Sequence, residues 1–393
     1  MDLPLMIDRL RSYVEDETPT GDVAALNAFA DRLVQRYTEL GATARRIHSA
    51  TGDHVVADFP GRGALSEAAP VLFLAHHDTV WPVGQLADAM PWRLQDGVIH
   101  GPGVFDMKGG LVILETALAE LSRNAISSNA ISGSMISGNE LSGRRFSGAD
   151  HRPVRVIVVA DEEVGSPSAR ELVTAESAGV VAAFGLEPPH PNGDLKTSRW
   201  GSTRIRITVT GREAHAALDP ESGISAIDEL VDQLIAVRSV VARHEHVLCN
   251  VGTIEGGGRT NVVAGSAWAD VGFRFMDPET ESAVLEAVTA LPALRAGAVV
   301  EVKVMSNRPA WQPSAATEAL LAKVIAAGDS LGQQVGGAAA SGAADTNLTG
   351  WLGIPTLDGL GPVGKGAHAV HEQAVATSLA ERAALVAAII TTI

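Results

Sequence analysis

The feature that most constrains this chain is a series of five short segments that carry carboxylate and histidine side chains. In chain order they are His76-His77-Asp78, Asp106, Glu162-Glu163, Glu187 and His368. Each one ends an apolar run or lies in a glycine-rich turn, which is where an open α/β sheet presents its chemistry. Oxygen and nitrogen donors in this number are enough to hold two divalent metal ions.

The first segment follows the short apolar run of residues 71–75, which predicts a parallel strand buried on both faces. Because residues two apart in an extended backbone share a face, His76 and Asp78 point the same way, and His77 points to the other face. A metal-bound histidine usually gives its second ring N–H to a carboxylate, and Asp78 could supply that carboxylate. The alternative is a surface His-Asp pair at a strand end.

Asp106 has glycines on both sides, which let the backbone turn sharply and come close to a bound ion. Its two carboxylate oxygens could each contact one of two ions. A helix is expected to begin at about Leu111. The alternative is a plain turn residue, since a single Asp beside glycines is usually part of a turn.

Adjacent carboxylates follow the β-branched run of residues 154–160. Because Glu162 and Glu163 point in different directions at a strand end, one could bind metal while the other acts as a general base. A divalent ion lowers the pKa of a water that it binds to about 7, which makes such a base effective. The alternative is a solvated acidic loop.

The last two segments have the same form. Glu187 follows the apolar residues 182–186, and His368 follows flexible glycines, with Glu372 four residues further on. A single histidine in such a loop could equally be a surface residue.

Taken together, the segments resemble the motifs of the zinc-dependent aminoacylase and carboxypeptidase superfamily, most closely those of the bacterial glutamate (folate-cleaving) carboxypeptidases. The matching elements are His-x-Asp-Thr-Val at residues 76–80, Gly-x-x-Asp-x-Lys-Gly-Gly at 103–110, Asp-Glu-Glu-x-Gly at 161–165, Glu187-Pro188, and the late glycine and histidine element around His368. The resemblance runs from about residue 5 to the C-terminus and is interrupted near residues 124–150.

This resemblance implies an α/β fold with two domains. The catalytic domain, residues 1–199 and 310–393, would have a mixed, mostly parallel sheet flanked by helices. A lid or dimerisation domain of α+β type with an antiparallel sheet would be inserted at residues 200–309. The residue pattern agrees, because strand-like alternation at 204–210, 268–275 and 299–304 surrounds a helical stretch at about 223–241.

The resemblance also implies two zinc ions per chain, with cobalt or manganese as possible substitutes. The implied ligands are His76 and Glu187 for one ion, Glu163 and His368 for the other, and Asp106 as the bridge between them. Glu162 would be the general base, and Asp78 would orient His76. Members of the family often have a cis peptide after the bridging aspartate, here between Asp106 and Met107.

Further residues are implied on the lid, which in the family usually pairs two chains as a homodimer. His215 would reach the active site of the neighbouring subunit and stabilise the tetrahedral oxyanion. Asn261 and Arg274 match residues that bind substrate, and the planar fork of Arg274 suits a terminal carboxylate. Arg308 resembles an element that contacts the side chain in glutamate-selective relatives, and Gly342 lies in a loop that often contacts the substrate backbone.

Some positions depart from the glutamate-selective pattern. A second basic position falls at Asp194, although Lys196 and Arg199 are close by, and Trp200 and Trp311 could favour a bulkier group. We therefore expect a hydrolase that releases a C-terminal amino acid from a small peptide or N-acyl conjugate. The alternatives are an N-acyl-amino-acid deacylase or dipeptidase with the same chemistry and, from another class, a metal-free binding protein on the same fold.

Charge and composition limit the possible partners. The formal net charge of −16 repels nucleic acid, and no basic stripe or nucleic-acid motif is present. No apolar run approaches the roughly 18–20 residues of a membrane span, and the N-terminus shows no signal peptide. We expect a cytoplasmic protein without nucleic-acid or membrane partners, and the single Cys249 excludes an intrachain disulfide.

The stretch of residues 124–150 does not fit the family. It is rich in Ser, Gly and Asn and has an apolar residue at every fifth position, namely Ile126, Ile131, Ile136, Leu141 and Phe146. We expect a flexible Ser/Gly-rich surface insertion in the catalytic domain, and the alternative is a short pentapeptide-repeat coil, which the spacing resembles.

Overall fold

The computed structural model describes residues 1–122, 146 and 148–393, which form two compact units. The first unit comprises Met1–Ser198, Pro313–Ala340 and Ala344–Ile393, and the second unit comprises Arg199–Gln312 and Ser341–Ala343. Most of the five-residue pattern in 124–150 lies outside the described residues. Its last apolar member, Phe146, is buried in the core of the first unit.

A six-stranded mixed sheet forms the centre of the first unit. Its strands in spatial order are β1 (Thr43–Ile47), β2 (His54–Phe59), β6 (Val154–Val159), β3 (Val71–His76), β7 (Ala182–Gly185) and β14 (Thr356–Leu357). The pairs β6–β3, β3–β7 and β7–β14 are parallel, whereas β1–β2 and β2–β6 are antiparallel. The predicted mixed, mostly parallel sheet is therefore confirmed.

Two small sheets and seven helices complete the described part of the first unit. The strands are β4 (Arg93–Gln95), β5 (Val98–His100), β15 (Gly364–Lys365) and β16 (Gln373–Val375) in one sheet, and β8 (Leu195–Arg199) and β13 (Gly337–Ala340) in the other. The helices are α1 (Leu3–Val14), α2 (Val23–Glu39), α3 (Lys108–Ser122), α4 (Arg170–Glu176), α7 (Ala315–Asp329), α8 (Thr346–Trp351) and α9 (Ala376–Thr392).

Strand β3 shows why the sheet positions a site. All six of its residues are buried, as the apolar run predicted. Phe73 packs into the core cluster on one face of the sheet, and Leu72 and Leu74 pack into the cluster on the other. Burial on both faces fixes the strand, so that its last residue, His76, is held at the carboxyl edge of the sheet.

Helix α3 begins at Lys108, three residues before the predicted start. The Lys108 N–H donates to the Gly103 carbonyl at 2.9 Å, and the Gly110 N–H donates to the Met107 carbonyl at 2.8 Å. Helical hydrogen bonding therefore begins immediately after Asp106. The glycines at 109 and 110 lie inside the helix, where Gly110 packs against Leu186.

The second unit contains a four-stranded sheet with helices. Its order is β10 (Leu248–Gly256), β11 (Ser266–Phe275), β9 (Gly201–Thr210) and β12 (Val299–Arg308), and every neighbouring pair is antiparallel. Alternate side chains of β9, including Ile205 and Val209, pack with Leu230 of helix α5 (Ala226–Val241) and Val284 of helix α6 (Pro278–Thr289). The predicted antiparallel α+β architecture is confirmed.

Two details of the second unit differ from the prediction. Helix α5 begins at Ala226 rather than near Gly223, because the Ser225 side chain caps it by accepting from the Asp228 N–H. Strand β10 was not predicted, and most of its residues are exposed, so its side chains lack the clear alternation that identifies a half-buried strand.

No helix in the described ranges of the chain combines the length and hydrophobicity needed to cross a bilayer.

Candidate metal centre

His76 is the point at which neighbouring strands of the first unit bring their ligands together. Its ring Nε2 lies 3.3 Å from Asp106 Oδ1 and 3.6 Å from Glu187 Oε1. Glu187 follows β7, the parallel neighbour of β3, so both side chains emerge at the same edge of the sheet. Burial lowers the pKa of His76, but its hydrogen bonds with Asp106 and Asp78 outweigh burial and raise this pKa well above its ordinary value.

The other ring nitrogen of His76 faces Asp78. His76 Nδ1 lies 2.9 Å from the Asp78 backbone carbonyl and 3.4 Å from the carboxylate Oδ1. An N–H at Nδ1 would donate to this carbonyl, which leaves Nε2 as the nitrogen available to a metal. Asp78, the residue predicted to orient His76, therefore lies next to the ring. Its backbone carbonyl is a nearer acceptor for Nδ1 than its carboxylate is.

The Asp78 carboxylate has a second set of partners that the sequence did not indicate. Oδ1 accepts from the Glu162 N–H at 3.1 Å, and Oδ2 accepts from the Glu163 N–H at 3.2 Å and from the Thr20 hydroxyl at 2.8 Å. Burial would raise the pKa of Asp78, but the hydrogen bond and charge of His76 and the Thr20 hydroxyl hold it below its ordinary value. Asp78 thus fixes the turn that carries both glutamates.

Asp106 lies between the two histidines. Oδ1 is 3.3 Å from His76 Nε2, and Oδ2 is 3.4 Å from His368 Nε2. Burial would raise the pKa of Asp106, but its hydrogen bonds with His368 and His76 lower it well below the ordinary value. The implied cis peptide between Asp106 and Met107 is present. One oxygen turned to each histidine is the arrangement required of a bridging carboxylate.

Glu163 and His368 form the other side of the cluster. Glu163 Oε2 lies 3.0 Å from His368 Nε2. His368 adopts a φ of 61°, in the left-handed region that non-glycine residues seldom occupy, and its side chain is 53% exposed. The loop therefore turns the imidazole toward the carboxylates while leaving one side of the site open to solvent.

The residues present fit a pair of cations. Glu163 Oε1 is buried and has no hydrogen-bond partner among the described residues, although a carboxylate oxygen in such a place needs one. Hydrogen bonds with Asp106 and Glu163 raise the pKa of His368 to about 10, so the local field favours positive charge. Donor atoms lie within 4.8 Å of one another in two groups, His76 with Glu162 and Glu187, and His76 with Asp106 and Glu163.

Glu162 lies 7% exposed in a short 3-10 turn, Glu162–Val164, directly after β6. It lines a small cleft together with His76, Glu187 and Asp345. This position is compatible with the predicted general base, and the grouping of Glu162 with His76 and Glu187 is also compatible with a ligand. The two roles differ in a measurable way, since removal of a ligand releases metal and removal of a base does not.

Glu372 also lies in this region, and no role was predicted for it from the sequence. It is buried, and burial raises the pKa of its carboxyl to about 7 although hydrogen bonds from Phe105, Asp106, Gly103 and Trp81 lower it. The only sequence signal that connected Glu372 with the site was its position four residues after His368. Spacing alone could not show that the side chain turns toward the loop of Asp106.

The remaining predicted site residues all lie in the second unit. His215 Nδ1 accepts from the N–H groups of Ala217 and Leu218 at 3.2 and 3.1 Å. A neutral ring with an accepting Nδ1 has its proton on Nε2, where it can be donated. The Asn261 carbonyl accepts from the Ala216 N–H at 3.0 Å, so the backbones of these two segments run side by side.

Two arginines of the second unit share one row of its sheet. Ser202 of β9 pairs in register with Arg274 of β11 and with Arg308 of β12. The Arg274 guanidinium donates to the Ser202 hydroxyl. Burial, together with the nearby charge of Arg308, lowers the pKa of Arg274. Two adjacent guanidinium groups favour an anionic ligand. Gly342 accepts from Arg199 Nη1 at 2.7 Å through its carbonyl.

A mixed α/β unit that gathers two histidines and four carboxylates at strand ends and in glycine-containing loops, in a chain that also has a separate antiparallel unit, is the arrangement of a metal-dependent hydrolase. Comparison with protein-family models agrees. Residues 72–151 match the "Peptidase family M20/M25/M40" model, and residues 197–298 match the "Peptidase dimerisation domain" model.

Two proteins with similar sequences support the same conclusion. Carboxypeptidase G2 of Pseudomonas sp. (strain RS-16) is 26% identical over 396 residues, which is 98% of this chain and 88% of that protein. Succinyl-diaminopimelate desuccinylase of Methylorubrum populi is 28% identical over 319 residues, 75% of this chain and 76% of that protein. Both alignments extend across the two units.

Solved structures share the fold. The M20 family metallo-carboxypeptidase Sso-CP2 from Sulfolobus solfataricus has a TM-score of 0.71 at 14% identity and covers 100% of this chain and 99% of that one. The YXEP protein of Bacillus subtilis, a dinuclear metal-binding peptidase of the M20 family, has a TM-score of 0.62 at 17% identity. The match covers 99% of this chain and 100% of that one.

The chain carries M20 peptidase family domains and is a homologue of carboxypeptidase G2. It is a hydrolase of the metallopeptidase and amidohydrolase class, as the motifs predicted. Its relatives include a carboxypeptidase and a desuccinylase, so identity at this level does not fix the substrate.

Proposed function

We propose that this protein is a dinuclear zinc hydrolase that cleaves an amide bond and releases a C-terminal amino acid from a peptide or an N-acyl conjugate. The observation that carries the proposal is the position of Asp106, whose two oxygens lie 3.3 and 3.4 Å from the ring nitrogens of His76 and His368. The proposed catalytic domain, residues 1–199 and 310–393, includes the whole first unit, and the proposed lid, residues 200–309, lies within the second unit.

The proposed ligand set divides around Asp106. His76 and Glu187, 3.6 Å apart, would hold one ion, and Glu163 and His368, 3.0 Å apart, would hold the other. Nitrogen and oxygen donors without thiolate suit zinc, with cobalt or manganese as possible substitutes. When bound, the ions would polarise the scissile carbonyl and lower the pKa of the attacking water.

Glu162 is the proposed general base. Its carboxylate would take a proton from the attacking water and then give that proton to the leaving amine. Asp78 holds the backbone N–H groups of Glu162 and Glu163, so it would act as a positioning residue for both base and ligand. The low exposure of Glu162 limits competing contact with bulk water.

The second unit would supply substrate contacts. We propose that the Arg274 guanidinium pairs with the terminal carboxylate, and that Arg308, Asn261 and Gly342 contact other parts of the substrate. His215 carries its proton on Nε2 when neutral and would donate it as a hydrogen bond to the tetrahedral oxyanion, in the neighbouring subunit as the resemblance implies. The two arginines beside Ser202 support an acidic substrate.

The surface of the second unit supports a homodimer that forms through the lid. Ile227, Val231 and Ile235 are exposed at four-residue intervals on one face of α5. Beside them runs β10, an edge strand of the described sheet, with Ile254 exposed. An open edge next to an apolar stripe favours pairing with a second copy. The match to a dimerisation domain supports this occupant.

A second candidate function keeps the same chemistry. The desuccinylase relative favours an N-acyl-amino-acid deacylase, and Asp194 at a position expected to be basic weakens the argument for glutamate. A metal-free binding protein is disfavoured, because all the implied ligands and Glu162 are present.

The test is a substrate screen with zinc present, run on the wild type and on Glu162→Ala. The screen compares peptides that end in glutamate or another residue, dipeptides and N-acylated amino acids. We expect turnover of peptides or conjugates with a free C-terminal carboxylate and a fall of about a hundredfold or more in the variant, with metal retained. Loss of metal in the variant would make Glu162 a ligand, and unchanged turnover would refute it as the base.

A further inference from the structure

Glu372 is a buried carboxylate that lies close to the proposed ligands without belonging to them. The residue is 1% exposed, and it precedes β16 in the loop that carries His368. The Glu372 N–H donates to the Ala369 carbonyl at 2.8 Å, and the Ala369 N–H donates to the Gly366 carbonyl at 2.9 Å. These two hydrogen bonds join Glu372 and His368 in one compact turn.

Both oxygens of Glu372 are occupied by hydrogen-bond donors from elsewhere in the chain. Oε1 accepts from the N–H groups of Phe105 at 3.0 Å and of Asp106 at 3.1 Å. Oε2 accepts from the Gly103 N–H at 3.0 Å and from the Trp81 indole N–H at 2.8 Å. Four donors fill the accepting capacity of an ionised carboxylate, and in that ionised form the hydrogen bonds are of the strong, charge-assisted type.

These donors come from the two other segments that carry ligands. Gly103, Phe105 and Asp106 form the glycine-rich turn of the bridging aspartate, and Trp81 lies five residues after His76. Glu372 therefore links the segments of His76, Asp106 and His368 through one side chain. The residues it joins are separated by 266 to 291 positions in the chain.

The geometry points to a specific role. We propose that Glu372 is a positioning residue for the metal centre: its carboxylate fixes the turn of residues 103–106 and Trp81, so that Asp106, His76 and His368 present their donor atoms to the same pair of cations. This inference rests on the proposed metal site. It assigns Glu372 no contact with metal or substrate.

A neutral side chain of the same shape cannot replace this carboxylate. In Glu372→Gln, one of the two oxygens becomes an NH2 group that faces N–H donors, so at least one pair of hydrogen bonds is lost and replaced by donor–donor repulsion. The turn that carries Asp106 then loses its anchor, while every proposed ligand remains in the chain.

The experiment compares zinc and cobalt binding by the full-length wild type, Glu372→Gln and a matched control, Glu115→Gln. Glu115 is also a fully buried carboxylate of the first unit, and it accepts from the Tyr13 hydroxyl at 2.6 Å and from Arg36 at 3.2 Å. Metal affinity is measured by competition with a chelator, the cobalt absorption spectrum reports ligand geometry, and thermal unfolding of the metal-free proteins reports stability.

We expect Glu372→Gln to bind metal roughly ten to a hundred times more weakly, the range seen when residues that orient ligands are replaced, and to show an altered cobalt spectrum. The control should lose thermal stability while keeping wild-type affinity and spectrum. If Glu372→Gln cannot be purified folded, Glu372→Asp decides, because it keeps the charge but shortens the reach and should weaken affinity in the same direction.

Wild-type affinity and spectrum in Glu372→Gln, or an equal loss of affinity in the Glu115 control, would overturn the positioning role and leave a merely structural one. A wild-type protein that binds no zinc or cobalt would instead contradict the proposed function, so the two failures can be told apart.

Discussion

At the scale of single residues, the Asp78 carboxylate connects two strand ends of the first unit. It follows β3, and it accepts the N–H groups of Glu162 and Glu163 after β6, 84 and 85 positions away. The sequence predicted that Asp78 lies near His76, because residues two apart in an extended strand point to the same face. It could not predict the contacts to Glu162 and Glu163, because their donors are main-chain N–H groups, which nearly every residue has.

The same limit applies to Glu372. Its partners are three backbone N–H groups and one indole, and no pattern of side-chain types encodes such contacts. The proposed ligands were easier to find, because each one ends an apolar run or lies among glycines. Their residue types also match the chemistry of a metal.

We predict that Asp78→Asn lowers kcat by roughly tenfold to a hundredfold, because an amide can accept from only one of the two glutamate N–H groups. Steady-state kinetics on the substrate found in the screen measures the change. The control Thr20→Val removes one hydrogen bond to Asp78 and should have a smaller effect. Wild-type kcat in Asp78→Asn would contradict the positioning role.

At the scale of secondary structure, strands that end in a site motif or that alternate clearly were predicted, whereas others, including the buried β2, were not. Strand β3 has a continuous apolar run before His76, β6 is apolar except for Arg155, and both were predicted within a residue of their observed ends. Strand β10 is mostly exposed and was missed. Helix α3 begins three residues before its predicted start, and Gly110 lies inside it, where close packing against Leu186 requires a residue without a Cβ.

Strand β3 should be the element whose packing matters most to the site. Phe73 is fully buried and stacks on Phe184 of β7, with ring centroids 5.4 Å apart. Phe73→Ala should destabilise the first unit by about 3–5 kcal/mol, because it leaves a cavity beneath the strand that carries His76. Urea unfolding followed by circular dichroism measures this.

The control is Val83→Ala, since Val83 is 63% exposed and should change stability by no more than about 0.5 kcal/mol. Equal unfolding midpoints for Phe73→Ala and the wild type would show that β3 does not support the unit in this way.

At the scale of the whole molecule, the two units divide the chemistry. The proposed metal ligands lie in the first unit, and the proposed substrate residues His215, Asn261, Arg274, Arg308 and Gly342 lie in the second. Near residue 200 the strand sequences change from continuous apolar runs to an alternation of apolar and polar residues. This change predicted a mostly parallel sheet in one unit and an antiparallel sheet in the other. Substrate identity was not predictable, because it depends on the side chains that surround one small group rather than on any repeating pattern.

We predict that the protein is a dimer in solution and that Val231→Glu shifts it toward the monomer, because a charge in the exposed stripe of α5 would be buried without a partner. Light scattering coupled to size-exclusion chromatography measures the mass. Leu5→Glu, at an exposed apolar residue of the first unit, should remain dimeric. A monomeric wild type, or a dimeric Val231→Glu, would contradict this surface.

The most direct test of the central claim is the metal content of the purified protein after equilibration with zinc, measured by elemental analysis for the wild type and Asp106→Ala. We predict about two zinc ions per wild-type chain, loss of hydrolysis when a chelator removes them, and recovery when zinc is restored. Asp106→Ala should hold fewer ions and lack activity. Wild-type protein that binds less than one ion per chain, or that hydrolyses its substrate equally well without metal, would contradict the account.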